Sequence, residues 1–320
     1  MARKYLDFEK PIEQLDLRVE ELKLASPDWA GLYADEMRRI ERKTDDLIKH
    51  IYANLTPWQI TQTARHPGRP YTLDYIQRVF DEFVELHGDR LYKDDPAIVG
   101  GLGRIDNTPV VFIGHQKGRN TKERVFRNYG MPHPEGYRKA FRLMELAERF
   151  KRPVVTFIDT PGAAPDIEAE ERGQAEAIAR NLLTMARLKV PIVSVVIGEG
   201  GSGGALAIAV ADRILMLEYS TYSVISPEGC AAILWKDGTK APLAAKALKM
   251  SSKELLGKGI VDGVVKEPLG GAHRDYDAAA RTLRDAILNA LNDLSGVPSD
   301  KLVSLRYDKF RKMGVFRERF

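Results

Sequence analysis

Along the first 55 residues, apolar positions recur at spacings of three and four: Leu15, Val19 and Leu22, then Met37, Ile40, Leu47, Ile48 and Ile51. Those spacings put them on one helix face and predict two amphipathic helices. The helices flank Ala25–Ser26–Pro27–Asp28, where Pro27 disfavours helix at Ser26. Such stripes need a cover, either the chain's own core or another subunit. From about residue 97 to 270 the pattern changes to short apolar runs between helical stretches. Ala97 to Ile105 and Val110 to His115 read as a hairpin around Asp106–Asn107–Thr108–Pro109. Pro153 to Ile158 and Pro191 to Ile197 read as buried strands, with shorter strands at 214–217, 222–225 and 260–265. Helices are predicted at 135–150, 173–188 and 202–211, and again at 276–294 and 300–313. Strands apolar at nearly every position are buried on both faces, so the class is α/β.

Composition narrows the function classes. Of 320 residues, 44% are hydrophobic, which fits a folded chain and argues against disorder. A net charge of +4 at 29% charged residues excludes a polyanionic tail and gives no dedicated nucleic-acid site, while leaving room for a local basic patch. A single cysteine, Cys230, excludes an internal disulfide and any cysteine-rich zinc site, and is expected to be a small buried residue. No apolar run reaches the roughly 18 residues of a membrane span, and the first residues form no secretory leader, so a cytoplasmic protein is expected.

The main chemical signal is Gly198–Glu199–Gly200–Gly201–Ser202–Gly203–Gly204–Ala205, between a predicted strand and a predicted helix. Without Cβ atoms, main-chain N–H groups can approach a ligand closely, and the following helix adds its positive end. Three chemistries compete. A nucleotide P-loop fails because no Gly-Lys-Ser/Thr follows. Gly198-x-Gly200-x-x-Gly203, with Glu218 twenty residues past Gly198, has dinucleotide-fingerprint spacing, but the short following helix and the two strands after it do not suit that unit. The third is an oxyanion hole of main-chain N–H groups. A second strand-to-loop junction, Asp159–Thr160–Pro161–Gly162–Ala163, would complete a cleft on the same side of the sheet.

These residues carry a resemblance. The stretches Arg65–His66–Pro67, Arg69 to Tyr75, Gly114 to Gly118, Pro134 to Ala140, Phe157 to Ala163, Ala169 to Gln174, Ile197 to Ala207 and Tyr219 to Cys230 resemble the carboxyltransferase alpha-subunit family of bacterial acetyl-coenzyme A carboxylases, in the crotonase superfamily. The resemblance implies a crotonase (ClpP-like) spiral of ββα units over 36–296, with an N-terminal helical extension (1–35) and a C-terminal helical tail (297–320). It implies carboxyl transfer from carboxybiotin, held on a biotin carboxyl carrier protein, to acetyl-coenzyme A. The product is malonyl-coenzyme A for fatty acid biosynthesis. Implied partners are a beta subunit, in an alpha2beta2 core, and biotin carboxylase. The sequence departs from the family pattern at Ala164 and Asp166, where a tyrosine and a glycine are usual.

By that resemblance Gly203, Gly204 and Ala205 form the biotin-side oxyanion hole, Gly200 and Gly201 shape the segment, and Gly162, Ala163 and Lys117 contact substrate. No metal is expected on this chain. Because biotin itself serves as base, the missing Ser-His-Asp set and paired carboxylates cease to be a puzzle. His115 is the best placed of the six histidines, for a structural hydrogen bond rather than catalysis; His50, His66, His87, His133 and His273 are scattered. The basic stretch Lys117, Arg119, Lys122, Arg124 and Arg127 reads as a solvated loop or as a contact for coenzyme A phosphates or an acidic partner. Asp159 and Glu199 would orient loops. The basic C-terminal tail (Lys309, Arg311, Lys312, Arg317, Arg319) reads as a solvated helix end. The competing reading is a stand-alone crotonase-type acyl-coenzyme A hydratase or isomerase; a non-catalytic scaffold is disfavoured because it has no use for open N–H groups.

Overall fold

The structure, a computed structural model, describes residues 4–25 and 33–314. The break at Ser26–Pro27–Asp28 and the basic positions Arg317 and Arg319 lie outside the described residues. The two N-terminal helices form as expected, α1 (Lys10–Ala25) and α2 (Ala34–Ala53). They close on the chain itself, with Ile12, Ile48 and Tyr52 buried together. Two short helices follow, α3 (Pro57–Ala64) and α4 (Thr72–Val79). The first is fixed locally: Pro57 opens it and Thr56 exchanges hydrogen bonds with Gln59 in a capping box.

Strands β1 (Glu82–Glu85), β2 (Ile98–Ile105) and β3 (Thr108–His115) form an antiparallel corner. Its hairpin is tighter than the sequence suggested. Ile105 pairs directly with Thr108, leaving Asp106 and Asn107 as the turn, with Asp106 in the left-handed region at φ 52°. The chain continues through α5 (Thr121–Phe126), α6 (Pro134–Arg149), β4 (Val154–Thr160), α7 (Ile167–Glu171) and α8 (Gln174–Arg187). Next come β5 (Ile192–Gly201), α9 (Ser202–Leu206), β6 (Arg213–Leu217) and β7 (Thr221–Ser223). The last elements are α10 (Pro227–Trp235), α11 (Ala241–Leu248), α12 (Ser252–Gly257), β8 (Gly263–Val265), α13 (Tyr276–Leu294) and α14 (Ser299–Arg311).

Among the described residues the strands form one sheet in the order β1-β2-β3-β4-β5-β6-β8, with β7 alongside the end of β5. From β3 to β8 the pairing is parallel. Alternate residues of each central strand enter opposite cores. Val155, Phe157, Val193 and Val195 pack with Tyr75 of α4 and Leu283 and Ile287 of α13. Val154, Ile158, Ile192 and Val196 pack with Leu143 and Met144 of α6 and Met185 of α8. This is why the strands read as continuous apolar runs.

Three elements differ from the sequence expectation, all for reasons of pairing. β5 does not stop at Ile197: Gly200 pairs with Thr160 on one side, and Glu199 to Gly201 pair with Thr221 to Ser223 on the other. The helix expected over 202–211 ends at Leu206. The strand expected over 260–265 shrinks to Gly263–Val265, because the Ile260 N–H turns back to the Leu255 carbonyl. In the tail, Arg306 is buried rather than solvated. It donates to Asp212 Oδ1 and Oδ2 at 2.9 and 2.8 Å and to the Met185, Leu188 and Val190 carbonyls, anchoring α14 below β6.

Candidate active site: a glycine ledge at two strand ends

The parallel strands β4 and β5 end side by side, and the loops leaving them meet. What holds them is main chain against main chain. A Cβ on Gly204 would lie 2.5 Å from Ala163 N and Gly162 C, and one on Gly201 would fall on the Pro161 carbonyl. One on Gly200 would meet the Tyr222 ring at 2.7 Å. Glycine at 200, 201 and 204 is therefore a packing requirement. Gly203 is different. Its Cβ would meet only Ile178, at 3.9 Å, so nothing inside the fold demands glycine there. Gly203 and Ser202 instead open onto a cavity of about 370 Å³ with apolar walls that include Leu206, Ile214, Tyr222 and Phe310. The sequence-predicted set is thus brought together: Gly162 and Ala163 on one loop, Gly200, Gly201, Gly203, Gly204 and Ala205 on the other. Gly203 and Gly204 lie in the first turn of α9, where N–H groups lack intrahelical acceptors.

A polar lattice fixes the entrance to this ledge. The Lys117 ammonium lies 2.7 Å from Asp159 Oδ1 and 2.9 Å from Glu199 Oε2. The Glu199 N–H donates to Asp159 Oδ1 at 3.0 Å, and Arg65 bridges Glu199 and Glu228 at 2.5 Å each. Burial opposes the charge on Lys117, but Asp159 and Glu199 outweigh it and raise its pKa. Burial likewise pushes the Glu199 carboxyl up, and Lys117 and Arg65 more than reverse that. Asp159 and Glu199 therefore orient loops, as expected. Lys117, assigned to substrate contact from the sequence, directs its charge at these two carboxylates.

The basic stretch is mostly occupied by internal partners as well. Arg119 donates to Asp74 and lies 4.5 Å over the Tyr71 ring; Arg127 donates to the Pro96 carbonyl at 2.7 Å. Lys122 is exposed. At the family departures, Ala164 is buried, and Asp166 caps α7 by accepting from Ala169 N at 2.8 Å while facing His133 Nε2 at 3.1 Å. Glu218, the acidic residue of the dinucleotide spacing, is paired with Lys266 at 2.6 Å. Cys230 is buried, as expected.

Two features escaped sequence reasoning. Ser202 sits in the left-handed region at φ 53°, between a strand and a helix, within Gly200-x-Ser202-x-Gly204. That spacing was the available signal, and it is the pattern of a strained nucleophile turn. Among the described residues no histidine is hydrogen-bonded to Ser202, so the turn lacks the base of a hydrolase. The second is a trio distant in sequence: Glu9, His66 and His273 bring ligand-type atoms within 4.8 Å. Both His66 nitrogens already have main-chain partners, Nε2 facing the Lys4 carbonyl and Nδ1 accepting from Gly68 N, each at 3.0 Å. As built, the trio docks the N-terminal segment.

Comparison with known proteins agrees with this geometry. The family described as acetyl co-enzyme A carboxylase carboxyltransferase-like matches residues 5–314. The acetyl-coenzyme A carboxylase carboxyl transferase subunit alpha of Thiobacillus denitrificans is 57% identical over 318 residues, covering 99% of both chains. That of Geobacter metallireducens is 59% identical, covering 99% of this chain and 100% of its own. Among solved structures, transcarboxylase 12S with methylmalonyl-coenzyme A bound aligns with a TM-score of 0.58 at 19% identity, over 72% of this chain and 44% of that one. A Pseudomonas malonate decarboxylase hetero-tetramer in complex with coenzyme A aligns with a TM-score of 0.58 at 19% identity, over 73% and 91%. These two share the fold, a crotonase-like α/β carboxyltransferase architecture. No helix among the described residues is long and apolar enough to cross a membrane. By its family match and by near-full-length identity above one half, this chain belongs to the acetyl-coenzyme A carboxylase carboxyltransferase family, among its alpha subunits.

Proposed function

We propose that this chain is the alpha half of a carboxyltransferase that moves a carboxyl group from biotin to acetyl-coenzyme A, forming malonyl-coenzyme A for fatty acid biosynthesis. The observation that carries the reading is the glycine ledge, bare main chain facing an apolar cavity, in a chain of this family. The cavity fits the group. Its apolar walls suit a fused ring, and the free space at Gly203 lets a ureido oxygen approach the first-turn amides. Carboxybiotin, on its carrier protein, supplies the carboxyl group and afterwards the base. The N–H groups of Gly203, Gly204 and Ala205 stabilise negative charge at that oxygen. Gly200 and Gly201 hold the segment against Tyr222 and Pro161, and Gly162 and Ala163 brace it from the facing loop. Lys117 acts by fixing Asp159 and Glu199. Donors prearranged in this way cost no reorganisation when charge develops.

A second set of donors, for the thioester enolate, would come from a beta subunit in an alpha2beta2 core, working with the biotin carboxyl carrier protein and biotin carboxylase in the cytoplasm. The central unit would span 36–296, with helical segments before and after it. The purified chain alone should then make no malonyl-coenzyme A, and adding the beta subunit should restore biotin-dependent synthesis. Hydration of crotonyl-coenzyme A by the chain alone would instead favour the stand-alone hydratase.

Gly203→Ala tests the ledge directly. The new methyl meets nothing nearer than 3.9 Å, so the melting temperature should stay within about 1 °C of the parent. It would occupy the space the ring needs, and kcat/KM for the biotin substrate should fall at least about tenfold. Unchanged kcat/KM would remove Gly203 from the site.

A further inference from the structure

Gly203 is open on one side, and glycine-rich main chain is permissive, so a precise donor array here requires clamps from elsewhere. The front clamp is the Gly162–Ala163 loop against Gly204. The back of the segment meets a residue that the reading above does not use. His115, the last residue of β3, is fully buried, and neither ring nitrogen has closed a hydrogen bond with a partner. Leaving a buried polar atom unpaired costs about 1–3 kcal/mol, and a leucine in this place would avoid that cost. The main-chain groups acting on the ring are those of Gly204 and Phe157, both favouring a ring N–H. Burial pushes its pKa down to about 3, and the Lys117 charge adds to that, so the ring is neutral at working pH with one N–H and one lone pair.

The hydrogen bonds of α9 and the turn after it single out the Gly204 carbonyl. The N–H groups of Ala207, Ile208 and Ala209 go to the carbonyls of Gly203, Ala205 and Leu206, passing over that of Gly204. We propose that His115 is a positioning residue whose ring N–H holds the Gly204 carbonyl from the buried side. In a trans peptide the C=O and the next N–H point in opposite directions. Holding the Gly204 carbonyl inward therefore turns the Ala205 N–H outward, toward the cavity. The same hydrogen bond polarises the peptide and makes that N–H a better donor. This inference rests on the proposal that the Gly203–Ala205 amides are the oxyanion donors.

The test compares His115→Leu, which keeps the volume and loses the donor, with His115→Gln, which keeps a neutral N–H. Both are assembled with the beta subunit, and amide hydrogen exchange over residues 202–207 is measured beside kinetics. For His115→Leu we expect faster exchange in this segment and kcat lower by about 10²-fold. KM for acetyl-coenzyme A should stay within about twofold, and the pH profile should keep its shape, since no proton is moved by this ring. His115→Gln should restore exchange and recover kcat to within about tenfold of the parent. Normal exchange and normal kcat in His115→Leu would overturn the role of His115. Fast exchange with normal kcat would keep the clamp and instead overturn the oxyanion reading. Equal losses in both variants, with parallel drops in melting temperature, would reduce His115 to packing.

Discussion

Gly204→Ala is expected to lower kcat by about 10²-fold or more, far beyond the effect of the same change one residue earlier. The added Cβ lies 2.5 Å from Ala163 N and Gly162 C, both main-chain atoms. A flexible side chain could swing away, but here two loops must part by about 1 Å to reach ordinary contact. Those loops carry the two halves of the ledge, so the separation breaks the array without removing a single N–H. Overpacking of this kind costs about 1–3 kcal/mol, which in a chain of this size is roughly 2–4 °C of melting temperature. The assembled enzyme should therefore be folded and nearly inactive at 25 °C. Gly203→Ala is the internal control, because its methyl meets open space. Full turnover in Gly204→Ala, measured beside a normal melting curve, would show that the contact between the loops is dispensable.

Much of this was legible in the sequence, and the unread parts share a cause. The buried strands announced themselves because both faces pack on helices, as Val154 and Val155 do in opposite cores. The ledge was visible as glycine density. The individual roles of its glycines were not, because they depend on partners far along the chain. Gly200 answers to Tyr222 and Gly201 to Pro161, and only Gly203 is free of such a partner. The extension of β5 to Gly201 was missed for the same reason: glycine carries little strand propensity, and pairing with Thr160 and β7 overrides it. Lys117 read as a candidate substrate cation because its two carboxylates stand 42 and 82 residues away. The trio of Glu9, His66 and His273 spans still more of the chain, and no local pattern marks it.

Arg69→Met should be the most destabilising single change near the site, costing about 3–5 kcal/mol. Arg69 is fully buried, donating to Glu267 through Nη1 at 2.9 Å and Nη2 at 2.6 Å, and to the Ile197 carbonyl through Nε at 2.7 Å. Burial works against its charge, and Glu267 outweighs burial, raising its pKa. Glu267 in turn accepts from Tyr219 N at 2.9 Å and Ala272 N at 2.7 Å. One ion pair thus ties the strand under the ledge to the turn after β6 and to the loop before α13. Removing the guanidinium leaves a buried carboxylate facing only two amides. Its pKa in the folded variant then rises above the unfolded value, so the penalty is full at neutral pH and shrinks as pH falls toward the unfolded carboxyl range. Urea denaturation at about pH 7.5 and pH 5.5 should show the deficit relative to the parent narrowing at the lower pH. Arg69→Met combined with Glu267→Gln should recover only part of the loss. A glutamine removes the stranded charge, yet its single carbonyl oxygen cannot serve both the Tyr219 and Ala272 N–H groups. A deficit independent of pH, or full recovery in the double variant, would mean that packing volume rather than charge pairing holds this junction.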